Sequence, residues 1–145
     1  MSRAARLEPL ADYADKVETE AARRLAASGR ALAAKEKELE QLRGYLAEYR
    51  RRSALAADPA DPLRWQNERA FLAKLSELVA AREADLQRAV ESYRLEAERW
   101  RESHRRTKSL DKLIADSAQE ARASEAKREQ RELDERALWS MLERS

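Results

Sequence analysis

The chain has 145 residues, 40% of them charged, with Lys+Arg 30 set against Asp+Glu 28; at a mean hydropathy of −0.89 it has little material for a globular core. Cys 0 excludes a disulfide framework, a cysteine nucleophile and a thiolate metal site. Gly 2 and Pro 3 leave too few chain-reversing residues for a sheet joined by tight turns.

Ala, Leu, Glu, Arg and Lys dominate, the composition of long helices and coiled coils. A formal net charge of +2 on so many charges names no nucleic-acid or membrane partner. The N-terminal MSRAARLEPLADY holds no apolar run of signal-peptide length, and the most apolar stretches, such as LSELVAA, are broken by charge within a turn or two. The expectation is a chain that is neither secreted nor bilayer-spanning.

A first helix is expected over residues 3–56. Within it Leu25, Leu32, Leu39 and Leu46 recur every seven residues, and Leu42 and Tyr49 interleave at the three-four spacing of a coiled-coil seam. Leu10 and Val17 keep the period but stand one residue out of phase. Passing from Val17 through Ala21 to Leu25 takes two steps of four, which predicts a local shift of the seam.

The clearest punctuation is SALAADPADPLRW, residues 53–65, with two Asp-Pro pairs. A residue before proline is pushed out of the α region, so the first helix should end before Asp58, leaving a connection over 57–61. Asp61 suits the cap of the next helix, and Pro62, lacking an N–H, its first position. A second helix is expected over 62–141. The two would measure roughly 80 Å and 120 Å at 1.5 Å per residue. The second helix carries the column Trp65, Leu72, Val79, Leu86, Tyr93, Trp100, Thr107 and Ile114. Its companion row is Leu75, Ala89 and Leu110, together with Arg82, Glu96 and Ser103.

The fold class read from this is all-α: two long helices forming one antiparallel coiled-coil hairpin domain over 1–145, the second overhanging the first. Matching the seams pairs positions whose numbers sum to about 121. Leu42 then meets Val79, Tyr49 meets Leu72, Ser28 meets Tyr93, Ala21 meets Trp100 and Leu7 meets Ile114. From about Ala115 the second helix has no partner. ADSAQEARASEAKREQRE holds no large apolar residue, and the extension ends in Leu133, Leu138, Trp139, Met141 and Leu142. Such an extension is expected to fray when isolated.

Catalytic chemistry is missing. The single histidine, His104, lies among Arg101, Arg105 and Arg106 and reads as a surface residue, since a metal site needs further ligands on a shared face. There is no phosphate-cradling glycine loop and no serine-histidine-acid set, and Glu36, Glu38 and Glu40 read as solvated. No enzyme, cofactor or metal is expected. Arg50, Arg51 and Arg52 suit a helix C-terminus. Glu96, Glu98 and Glu102 dilute the run Arg99, Arg101, Arg105, Arg106 and Lys108, which disfavours nucleic acid. Neither helix offers the lysine-rich face of a membrane-surface helix.

One constellation exceeds what a helix pair needs. Tyr45, Phe71 and Leu78 lie off the seam, close to the connection, where Leu42, Tyr49, Leu72 and Leu75 already fill it. The widened apolar strip is read as a docking surface in preference to one covered by arginine stems or by a second copy.

RLEPL with EAARRL, then QLRGYLAEYR, then RWQNERAFLAKL, in that order around the Asp-Pro connection, resemble the flagellar export protein FliJ family over essentially the full length. The resemblance implies a two-helix antiparallel coiled coil, similar to the rotary stalk of F-type ATPases and to stalk proteins of virulence type III secretion. It implies that the end bearing the termini enters the hexameric export ATPase FliI and promotes its assembly and hydrolysis, with Leu133, Leu138, Trp139 and Leu142 as ring-binding residues. It further implies contact with the cytoplasmic linker of the export gate protein FlhA through Glu38, Leu42, Tyr45, Tyr49, Phe71, Leu75, Leu78 and Arg82. Relatives often carry glutamine where Glu38 stands and histidine where Arg82 stands. Escort of export chaperones, and a place at the cytoplasmic face of the inner membrane at the flagellar base, are implied too. The competing readings are a generic cytoplasmic coiled-coil scaffold and a nucleic-acid-binding hairpin.

Overall fold

The computed structural model describes residues 2–55 and 61–144. It is all-α, with α1 running Arg3–Leu55 and α2 Pro62–Arg144, packed against each other as a helical hairpin. The connection expected at 57–61 falls outside the described residues except for Asp61. Local chemistry fixes both helix starts. Ser2 caps α1, its Oγ accepting from the Ala5 N–H at 3.1 Å. Asp61 caps α2, its Oδ1 accepting from the Arg64 N–H at 3.2 Å while Pro62 takes the first helical position. A side-chain cap of this kind contributes about 1 kcal/mol. At its other end α2 runs past the expected 141 to Arg144.

The chain divides into two units, Ala21–Trp100 and Met1–Glu20 with Arg101–Ser145. In the Ala21–Trp100 unit the core is a cluster of Leu39, Leu46 and Val79, with Leu42, Leu72, Leu75 and Leu86 packed against it. Leu39 is only 1% exposed. Burying such a side chain is worth about 1.5–3 kcal/mol, and a helix pair has few positions where it can be done. Arg43 Nη2 lies 3.0 Å from Glu83 Oε1 and Arg50 Nη2 donates to Ser76 Oγ at 3.3 Å, which fixes the antiparallel pairing.

The expected register is met closely but not residue for residue. Leu42 joins the Val79 cluster as expected. The Tyr49 ring, however, meets Phe71, at a centroid separation of 4.6 Å. Tyr93 lies over Gly29 where Ser28 was expected: a β-carbon built on Gly29 would stand 3.3 Å from its Cε2. Trp65, placed by its column in the seam, is 50% exposed, with the Arg69 guanidinium 4.7 Å from its ring centroid.

The terminal unit corrects the sequence reading of the seam. On α1 the less exposed positions are Ala4, Ala5, Leu7, Ala11, Ala14 and Glu18, which apart from Ala5 keep a three-four alternation that leads in sequence to Ala21 and Leu25. No shift of phase occurs. Leu10 and Val17 are 55% and 36% exposed, flanking the seam instead of filling it. The residues chosen for burial are small, Ala11 at 7% and, on α2, Thr107 at 7% and Ser117 at 8%.

A polar contact accompanies this phase. His104 Nδ1 lies 2.7 Å from Glu18 Oε1, so His104 is a half-buried bridging residue and not the free surface side chain expected. The Thr107 hydroxyl donates to the Ser103 carbonyl at 3.1 Å. Beyond Ala118 every described residue is exposed, and α2 continues as an unpartnered helix.

Two outcomes follow for stability. Nothing lies within 4 Å of a methyl at Gly44, so Gly44→Ala should stabilise by about 0.5–1 kcal/mol through helix propensity alone. Gly29→Ala gains the same propensity but must push the Tyr93 ring outward, so its denaturation midpoint should fall below that of Gly44→Ala. The reverse order would contradict the Gly29–Tyr93 packing.

The second outcome is a pH dependence. The hydrogen bond from His104, and after it that from Thr107, hold the Glu18 carboxyl below its ordinary 4.5. A carboxyl depressed on folding adds stability that is present above that value and lost as pH falls through the folded one. Unfolding midpoints taken between about pH 5 and about pH 3 should fall less steeply for Glu18→Gln than for the unaltered chain. Equal slopes would remove Glu18 from the acid response.

Candidate interaction surface

All eight residues expected at the gate contact lie in the Ala21–Trp100 unit, and the structure sorts them into three kinds. Leu42 and Leu75 belong to the inter-helix core, packed on Leu39, Leu46 and Val79. Tyr45, Phe71 and Leu78 stand outside it, 68%, 49% and 40% exposed. Tyr49 joins the groups, half-buried with its ring tilted 46° against Phe71. An edge-inclined aromatic pair of this sort holds both rings in a fixed orientation. Of these side chains Tyr45, Tyr49, Phe71 and Leu75 line an open groove of about 400 Å³, together with Glu48 and Arg52, while Leu42 and Leu78 are not part of its lining.

The remaining two residues, Glu38 and Arg82, are bound to each other. Arg82 Nε lies 3.2 Å from Glu38 Oε1, close enough for ion pairing though not aligned as a hydrogen bond. Arg82 Nη1 also donates to Asp85 Oδ2 at 3.3 Å. The two positions at which charge replaces the residues common in the resembled family therefore compensate one another across the helices.

Sequence reasoning missed the polar rim. Glu48 accepts from Arg51 at 2.9 Å and from Arg52 at 3.2 Å, and the Arg51 hydrogen bond is the foremost cause holding its carboxyl below the ordinary range. Asp85 is held low chiefly by its hydrogen bond from Arg88. Heptad counting marks columns of this rim, though not the ion pairs in them. Arg52 stands seven residues after Tyr45 and Asp85 seven after Leu78, in the same columns that carry the apolar surplus.

The four residues expected to contact the ATPase ring lie far along the unpartnered part of α2 in the terminal unit. Leu133, Leu138, Trp139 and Leu142 are 57%, 58%, 66% and 59% exposed. At about 100° per residue Leu138, Trp139 and Leu142 fall within one face of about 100°, and Leu133 stands on the opposite side of the helix. Short-range pairs hold the helix just before them, Arg128 Nη2 with Glu125 Oε1 at 2.6 Å and Gln130 donating to Asp134 at 3.0 Å.

Among the described residues no helix is long and apolar enough to cross a membrane. Comparison with curated proteins and with solved structures gives no match. The family model described as Flagellar FliJ protein matches residues 2–144. With that match spanning nearly the whole chain and the helical hairpin in place, the protein belongs to the flagellar FliJ family, a component of the flagellar export apparatus.

Proposed function

We propose that this chain is a central-stalk component of the flagellar type III export apparatus, joining the FliI ATPase hexamer to the export gate protein FlhA. The observation that carries the reading is the groove of Tyr45, Tyr49, Phe71 and Leu75, an apolar surplus that two paired helices have no use for. Glu48 and Arg52 on its rim supply hydrogen-bonding partners for the backbone of an incoming segment. By the family likeness that segment is the cytoplasmic linker of FlhA.

The distribution of apolar side chains around the α2 extension supports the second contact. Leu133 stands across the helix from the face of Leu138, Trp139 and Leu142, so burying all four takes contact on two sides, as in the bore of a ring. The extension would bias successive subunits through differential binding, raising assembly and turnover without doing chemistry itself. Escort of export chaperones, and a position at the cytoplasmic face of the inner membrane, belong to the same reading.

The gate contact is tested by replacing Tyr45, Tyr49 and Phe71 together with alanine and measuring affinity for FlhA alongside far-ultraviolet circular dichroism. Binding should fall at least about a hundredfold, as expected for a cluster of aromatic anchors, with helicity retained; unchanged affinity would remove the groove from the contact. The ATPase contact is tested by adding the unaltered chain, and one ending at Ala126, to FliI. The unaltered chain should raise hydrolysis and hexamer formation and the shortened chain should not. Equal stimulation by both would place the contact elsewhere.

A further inference from the structure

The terminal unit holds larger apolar side chains outside its seam than in it. On α1 the seam uses Ala4, Leu7, Ala11, Ala14 and Glu18, while Leu10, Tyr13 and Val17 are 55%, 69% and 36% exposed. These three border an open groove of about 260 Å³ together with Ala14, Leu110 and Arg106. Their spacing of three and four residues is itself a seam, displaced by one position from Ala11, Ala14 and Glu18. One position is a rotation of about 100° about the helix axis.

We propose that the α1 arm Arg3–Glu20 has two packings on α2 within this unit, and that the Glu18–His104 hydrogen bond selects the one observed. In the second packing Leu10, Tyr13 and Val17 turn into the seam, closing the groove they now border. Leu7, Ala11, Ala14 and Glu18 turn out to water, so the exchange gives up one leucine for Leu10, Tyr13 and Val17. The residues that would change places make the exchange feasible. Alanine tolerates either environment, and Glu18 is better solvated outside. Arg3 and Arg6, one and two turns before Leu10, have stems long enough to carry their charge to the edge of a seam. Val17 stands four residues before Ala21, which stands four before Leu25, so the rotated arm still meets the leucine column through a local change of coiled-coil phase.

Hydrophobicity favours the rotated packing, and the observed one prevails through the Glu18 carboxylate. That group lies 2.7 Å from His104 Nδ1, a bond that the rotated arm would give up. Two packings separated by one such bond form a bistable element, and a partner that displaces Glu18 from His104 would turn the arm and withdraw its apolar face.

The absence of cysteine allows single reporters. In Ala11→Cys the thiol sits at a site 7% exposed in the observed packing and turned outward in the rotated one; Asp12→Cys is exposed in both and serves as the reference. Removing the clasp with His104→Ala should speed labelling of Cys at position 11 by about tenfold, the factor that one charge-assisted hydrogen bond carries, with position 12 unchanged. Adding Val17→Glu places a charge in the rotated seam only and should return labelling to the slow rate. Circular dichroism checks that each variant remains helical, and Val17→Gln substitutes if Val17→Glu alone accelerates labelling. Labelling that does not respond to His104→Ala overturns the proposal. So does labelling that stays fast with Val17→Glu or Val17→Gln, since the arm has then detached and not turned.

Discussion

Two helices packed side by side have a single seam in which to hide apolar surface, and about two positions in seven lie in it. Every feature of this protein is decided by that scarcity. Leu39, 1% exposed, is the one large side chain among the described residues that the seam buries completely, and its neighbours Leu46 and Val79 complete a core only a few residues long. Nothing else can be hidden in the same way. A leucine or tyrosine at any other heptad position must face water or wait for something to cover it.

Charge does little to offset this shortage. The ion pairs seen here are mostly between exposed side chains one turn apart, such as Arg51 and Glu48 or Arg106 and Glu102. Each is worth about 0–1 kcal/mol in water. Pairs that cross between helices, Arg43 with Glu83 and Arg82 with Glu38, contribute mainly by penalising a shifted register. The Glu38–Arg82 pair has a further effect at the proposed gate surface. Two charges that satisfy each other leave the apolar groove beside them less costly to desolvate than two unmatched ones would.

The helices, their caps and the leucine-rich register could be read from the sequence because each rests on a local signal: spacing, proline, or a capping carboxylate. The phase of the first helical turns could not. Leu10 and Val17 are the residues a hydrophobic count selects, and the competing choice is accompanied by a hydrogen bond between Glu18 and His104, residues far apart in sequence. The approach of Tyr93 to Gly29 is likewise a contact between residues far apart in sequence. At the candidate surface the aromatic members were legible as surplus. Glu48 and Asp85 were not, because a charged residue on a helix looks solvated until its partners are known.

The extension of α2 presses the governing scarcity to its limit. From Gln119 onward it has no seam at all, and its helix rests on alanine-rich propensity and pairs such as Arg128 with Glu125. Contributions of that size, a few tenths of a kcal/mol each, leave a lone helix near the balance between folded and frayed. Leu133, Leu138, Trp139 and Leu142 are all more than half exposed there. A partner that encloses them gains their burial and also meets the entropy of ordering the helix, so binding and order are coupled in this segment. The groove at Tyr45 and Phe71 is different in kind, because it is held rigid by the Leu39 core beneath it and a partner there meets little ordering cost. The chain thus carries two apolar features with opposite thermodynamic demands on whatever would cover them, a preformed surface and a segment that covering would complete, and both arise from having a single seam to fill.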